Sequence, residues 1–189
     1  PAERRGGTED NAGMTTTTAH PPPDADAMGA RQAASVIVLR DSADGTMQVL
    51  MLRRAERDGD MRSGVWVFPG GVLDPVDSSL HGRCDGDTAA AANERLGLAT
   101  GALDYSVAAI RECAEEVNLL LASAGDAAAA VPELQALRTG ADFVALCERH
   151  GLRLDAGALA YHSHWLTPPS LPKRFDTRFF VARAPAGQE

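Results

Sequence analysis

Residues 111–119, RECAEEVNL, constrain this chain more than any other stretch. Glu112, Glu115 and Glu116 stand three and four apart, so on a helix their carboxylates share one face. Ile110, Cys113, Ala114 and Val117 follow the spacing of a buried helical stripe roughly opposite those acids. Asn118 falls at the C-cap position, where asparagine tolerates the left-handed conformation better than most residues other than glycine. The pattern predicts a helix over 105–117 with one side buried and three acids on the other. On this segment alone two readings stay open. One is a solvated acidic face, since like-charge pairs on an exposed helix cost only about 0.2–0.5 kcal/mol. The other is a seat for a hard divalent cation, which prefers oxygen ligands.

A second segment lies upstream, VWVFPGGVLDPVD at 65–77. Val65 to Phe68 are β-branched or aromatic and read as a short strand. Pro69, Gly70 and Gly71 end it sharply, and paired glycines let the backbone approach a ligand closely. By itself a Pro-Gly-Gly is most simply a turn.

Together the two segments resemble the Nudix box, G-x5-E-x7-R-E-U-x-E-E-x-G-U with U aliphatic. Gly71 matches the first glycine, and Asp77 stands six residues later where the pattern has glutamate. Arg111, Glu112, Glu115, Glu116 and Leu119 match the second half. Cys113 replaces an aliphatic residue and keeps a small apolar group; Asn118 replaces glycine and keeps the cap. Residues 78–110 intervene, 33 where the pattern has seven. This insertion (about 78–104 outside the helix) is Gly- and Ala-rich, with a helical piece near 88–96.

An expanded box of this kind resembles the subgroup that includes peroxisomal coenzyme A diphosphatases. Leu50, Arg53, Gly64, Phe68, Pro69, Gly70 and Gly71 resemble the signature of coenzyme A–hydrolysing members, and residues 164–182 resemble their late pair of strands. The resemblance implies a Nudix-type α/β/α sandwich around a mixed β-sheet. It implies Mg²⁺ or Mn²⁺ held by Glu112, Glu115 and Glu116, with Arg111 orienting a glutamate of the trio. Arg111, Glu112 and Glu116 are the candidate catalytic residues; the general base stays open between Glu112, Glu116 and a later loop. Gly70, Gly71, Arg53 and Arg178 are the candidate substrate contacts. The activity implied is hydrolysis of a nucleoside diphosphate linked to another moiety, with coenzyme A or an acyl-coenzyme A favoured. ADP-ribose or NADH, or a non-catalytic nucleotide-binding module, are the alternatives. The family fold also implies a further strand and terminal helix beyond Arg183; the sequence reaches Glu189, and a truncated C-terminal portion is the expectation.

Composition agrees with one domain over 33–189, since 44% of the 189 residues are hydrophobic. Residues 1–32, with TTTT and HPPPDADA, are expected to be a disordered tail and lack a signal-peptide apolar stretch. No apolar run approaches the roughly 18 residues of a membrane span. Three scattered cysteines form no disulfide framework, which suggests a reducing cytoplasm. The net charge of −8 argues against a nucleic-acid polymer as partner but not against a small nucleotide substrate, because bound cations reverse the local sign. A homodimer is also entertained. His162 and His164 share a strand face but have no third zinc ligand, Cys147 and His150 fit core packing, and Trp66 and Trp165 fit either core or a base-stacking role.

Overall fold

The computed structural model describes residues 29–56 and 64–188. Most of the expected tail (1–28), and residues 57–63 of the expected loop, lie outside the described residues. The apolar run at 35–39 forms the middle of β1 (Arg31–Asp41), which starts two residues before the expected boundary and is the central strand of the main sheet. β1 pairs in parallel with β10 (Phe175–Arg183), from Arg31 opposite Phe175 to Leu39 opposite Arg183. β9 (Ala160–Leu166) runs antiparallel along the far side of β10. The other side of β1 is shared. Its C-terminal half takes β2 (Met47–Val49) through the turn at Asp44-Gly45, and its N-terminal half takes β5 (Gly70–Val72).

The sequence reads as one strand over 47–54, but it is divided: β2 stays with β1, whereas β3 (Leu52–Arg53) leaves to pair with β4 (Trp66–Val67). The Pro-Gly-Gly is more than a turn, because Gly70 and Gly71 lie opposite Ser35 and Ala34 in the ladder. A Cβ on Gly70 would collide with the Ala34 carbonyl and lie 2.7 Å from Ser35 Cα, so this pairing needs glycine.

The insertion is structured. A 3-10 helix (Asp77–Arg83) leads to β6 (Cys84–Asp85) and α1 (Ala89–Leu96), capped by Thr88 and ended by Gly97 at φ 65°. α2 (Ala102–Val117) begins three residues earlier than the spacing predicted and ends at Asn118, whose φ of 56° is the expected left-handed cap. β7 (Ala122–Ala124), α3 (Ala127–Ala130), α4 (Gly140–Arg149) and β8 (Arg153–Asp155) follow. β6, β8 and β7 form a small second sheet that pins the insertion to the strand after α4. α4 starts with a capping box in which Thr139 and Asp142 exchange hydrogen bonds; the sequence reads as a helix from Asp142 to His150, and Asp142 is instead the third helical residue.

α2 packs on β1 and β5, and α1, α4 and the 3-10 helix pack around it. Its residues from Tyr105 to Arg111 are therefore buried on every side, with Leu80, Ala92, Leu96, Phe143 and Leu146 among the surrounding core. The other face of β10, at Phe175, Thr177, Phe179 and Val181, is only half-buried. Among the described residues no helix is long and apolar enough to cross a membrane.

Candidate functional site

The centre of the site is Arg111, which α2 carries into a nearly closed setting at 3% exposure. Its Nε and Nη2 donate to Asp77 Oδ1 and Oδ2 at 2.8 and 3.2 Å, its Nη2 also to the Val72 carbonyl at 3.1 Å. Nη1 donates to Glu112 Oε1 at 2.7 Å and Glu115 Oε2 at 3.3 Å. One guanidinium thus ties two glutamates of α2 to the strand and to Asp77. Asp77 is fully buried and takes a further hydrogen bond from the Asp74 backbone N–H at 2.8 Å. Burial works against the Arg111 charge, but the hydrogen bond and charge of Asp77, with Glu112, outweigh it and hold the pKa above the ordinary arginine value.

Glu116 stands on the same face and accepts from the Gly70 backbone N–H at 2.9 Å. Gly71 fits against Glu112 as closely: a Cβ there would lie 2.5 Å from Glu112 Cδ. Burial raises the pKa of all three glutamates. Arg111 counters it at Glu112 and Glu115, while the Gly70 amide and the charge of Arg54 counter it at Glu116. Such a site pulls toward a positive ligand.

Arg111, Glu112, Glu115, Glu116, Gly70 and Gly71 are therefore neighbours. The glutamates are not gathered into a cage: among the described residues no three His, Cys, Asp or Glu side chains are arranged as a metal cluster. Arg111 draws Glu112 and Glu115 to itself, and Gly70 holds Glu116. The donor chemistry nevertheless fits a divalent cation. Glu115 Oε1 is buried with no hydrogen-bond partner, an acceptor left for a cation.

Two expected substrate contacts fall elsewhere. Arg178 is 2% exposed and lies beneath α2, with its guanidinium carbon 5.9 Å from the Tyr105 ring centre and Asp176 at 3.7 Å. Strand alternation puts it on the same side as Phe180 and Ala182, away from solvent. Arg53 pairs with Glu56 at 2.5 Å. Its neighbour Arg54 instead lines a cleft of about 410 Å³ with Trp66, Phe68, Gly70, Gly71 and Phe179. The sequence marks Asp77 by its offset from Gly71 without giving it a site role, and it offers Arg54 no more than Arg53 as a phosphate contact, since both read equally as simple surface charges.

The remaining candidates are structural. Cys113 and Cys147 are core thiols, and burial pushes Cys147 up to about 12. His164 is paired with Asp176 at 2.5 Å, and His150 with Glu133 at 2.8 Å.

A basic residue and three glutamates on one helix, facing a glycine pair on a strand of a mixed sheet, define a Nudix-type site. The NUDIX domain family profile matches residues 29–174, and the chain belongs to that family. Among curated proteins, a Caenorhabditis elegans putative nudix hydrolase 7 is 30% identical over 155 residues, covering 80% of this chain and 43% of the relative. An acyl-coenzyme A diphosphatase NUDT19 of Gallus gallus is 29% identical over 180 residues, covering 71% of this chain and 47% of the relative. The chain thus spans less than half the length of either. Among solved structures, a Nudix hydrolase from Alicyclobacillus acidocaldarius superposes with a TM-score of 0.66 at 32% identity, covering 82% of this chain and 70% of the other. Divalent metals are general cofactors in the family.

Proposed function

We propose that this chain hydrolyses the diphosphate of a nucleoside diphosphate derivative, with Mg²⁺ or Mn²⁺ held by Glu112, Glu115 and Glu116. The substrate we favour is coenzyme A or an acyl-coenzyme A, cleaved to 3′,5′-ADP and a phosphopantetheine product. The observation that carries the reading is the Arg111 knot: one buried guanidinium positions Glu112 and Glu115, leaving Glu115 Oε1 without a protein partner. The likeness to an acyl-coenzyme A diphosphatase supports the substrate.

A bound divalent cation supplies neutralisation of the diphosphate oxygens and acidifies the attacking water. The chain's own groups do the rest. Arg111 fixes the glutamate side chains and is itself locked by Asp77. Gly70 and Gly71 let strand and helix close up, so that the Gly70 amide holds Glu116 and the Glu112 carboxylate lies against Gly71. The water's proton passes to a carboxylate beside it, Glu112 or Glu116, or to a group on a later loop. The bridging oxygen leaves with the second phosphate. A cytoplasmic location and a homodimer are part of the same proposal.

The test is hydrolysis of coenzyme A, acyl-coenzyme A, ADP-ribose and NADH, with and without Mg²⁺ or Mn²⁺, by the chain and by Glu116→Gln. The amide oxygen of glutamine still accepts from Gly70, so the fold is kept while the charge is lost. Expected are metal-dependent release of 3′,5′-ADP and a loss of at least about a hundredfold in Glu116→Gln. Turnover of ADP-ribose without coenzyme A would remove the favoured substrate. No metal-dependent turnover at all would remove the enzyme reading.

A further inference from the structure

The cleft beside the glutamates has an unusual lining. Trp66, Phe68, Phe175 and Phe179 are all at its wall, and its edge includes Gly70, whose backbone N–H donates to Glu116, and Gly71. Its volume of about 410 Å³ lies in the range of small-ligand sites. Core packing does not explain Trp66, which is 60% exposed. Arg54 stands on the same wall, its backbone N–H fixed by the Val65 carbonyl at 3.0 Å, and its charge is felt at Glu116. A larger apolar hollow of about 590 Å³, at Val49, Leu50, Val117, Leu119 and Ala184, contains no aromatic ring.

We propose that this cleft receives the planar base of the substrate's nucleoside half, with the Trp66 indole as the stacking surface and Arg54 holding the adjoining phosphate. The proposal rests on the nucleoside diphosphate reading above and adds the end of the substrate that docks here. Flat rings on a solvent-open wall suit a purine, whose two faces are π surfaces. An acyl or pantetheine chain has no such face and gains most in an enclosed apolar channel. A guanidinium on the same wall as the rings, its charge reaching Glu116, suits a phosphate leading from base to scissile bond. Arg53 cannot share that role while it is turned to Glu56.

Trp66 can report its own contact, because the chain has two tryptophans and Trp165→Phe leaves Trp66 as the sole indole. Trp165 is 64% exposed, so this replacement leaves the core untouched. The Trp165→Phe chain is titrated with ADP, with pyrophosphate and with pantetheine. Saturable quenching of Trp66 by ADP alone is expected. Trp66→Ala and Arg54→Ala should each weaken ADP binding, followed calorimetrically, by about tenfold or more, with Trp66→Phe recovering most of the loss. Emission unmoved by ADP, or moved as much by pantetheine, would overturn the proposal. Because binding is read without turnover, quenching by ADP in a chain that hydrolyses nothing would sink the hydrolase reading and leave the base site standing. Turnover of coenzyme A without quenching would do the reverse.

Discussion

Asparagine at position 77 removes one charge from the site's anchor while keeping its shape. Asp77 receives only donors: Arg111 Nε on Oδ1, and Arg111 Nη2 with the Asp74 backbone N–H on Oδ2. An amide offers one oxygen, so its NH₂ must face a donor in either orientation. Placed at Oδ1 it opposes Arg111 Nε–H; placed at Oδ2 it opposes two donors. The side chains of Arg111 and Asp77 are 4% and 0% exposed, so water cannot repair the mismatch. Breaking one side of a buried pair costs about 3–5 kcal/mol. Arg111 keeps Glu112 and Glu115, which puts the expected loss near the lower end, about 3 kcal/mol. For a chain of this size that lowers Tm by about 6–12 °C. Urea unfolding of Asp77→Asn measures the loss directly, and Mn²⁺ titration measures the site. With its anchor gone, Arg111 competes for Glu112 and Glu115, so Mn²⁺ should bind about tenfold more weakly. A variant within about 1 kcal/mol of the parent, with unchanged Mn²⁺ affinity, would refute the view that Asp77 holds the site through Arg111.

The two glycines should fail differently. Gly70→Ala drives a Cβ into the backbone of Ala34 and Ser35 and should cost roughly 1–3 kcal/mol by chemical denaturation. Gly71→Ala instead presses on the Glu112 carboxylate, a side-chain end that can swing aside by giving up its Arg111 hydrogen bond, so stability should fall by about 1 kcal/mol, less than for Gly70→Ala, while Mn²⁺ affinity drops; the opposite ranking would contradict the geometry. The raised glutamates make a prediction about pH. Glu112, Glu115 and Glu116 hold protons more tightly folded than unfolded, so stability is greatest at low pH and declines as pH rises past the free-glutamate value of 4.5. In EDTA, the contribution of these groups to Tm should fall as pH rises above 4.5, and Mn²⁺ should restore more of it the higher the pH; a contribution that grows with pH above 4.5 would contradict the assigned shifts. The carboxylates with lowered pKa, such as half-buried Asp85 and exposed Asp142, act in the opposite sense only below the 3.8 of free aspartate.

How much of this was legible follows the range of the interactions. The acidic face of α2, its buried stripe and the Asn118 cap are local, and helical spacing exposes them. The Thr139 capping box is local too, and it starts α4 two residues before the Asp142 that the apolar spacing marks. Arg111 meets Asp77 across 34 residues, and only the family offset marked Asp77. Arg53 and Arg54 were beyond alternation arguments because β3 is two residues long. Arg178 was legible in principle: it alternates with Phe180 and Ala182 on β10, which places it inside, away from the substrate role that its charge suggested. β6, β7 and β8 are two or three residues each and carry no period to detect.

The insertion is the hardest case, because its sequence resembles a surface excursion. Lengthening the connection from seven to 33 residues costs only about 1.4 kcal/mol in loop closure if the loop is flexible. The buried Asp77–Arg111 pair, standing at the two mouths of the insertion, still brings them to 2.8 Å. The residues between do more than tolerate the detour. Leu80 and Leu96 are each 1% exposed and Ala92 0%, and they close over the part of α2 that the sheet leaves open. That is why α2 is buried all round from Tyr105 to Arg111 and emerges only where Glu112, Glu115 and Glu116 begin. Leu96→Ala distinguishes a decorative loop from a piece of the core. A surface excursion would change stability by less than about 0.5 kcal/mol, whereas a core leucine should cost about 2–5 kcal/mol. Since α2 carries the site, the core outcome should be accompanied by weaker Mn²⁺ binding, although Leu96 lies in α1, outside the glutamate cluster.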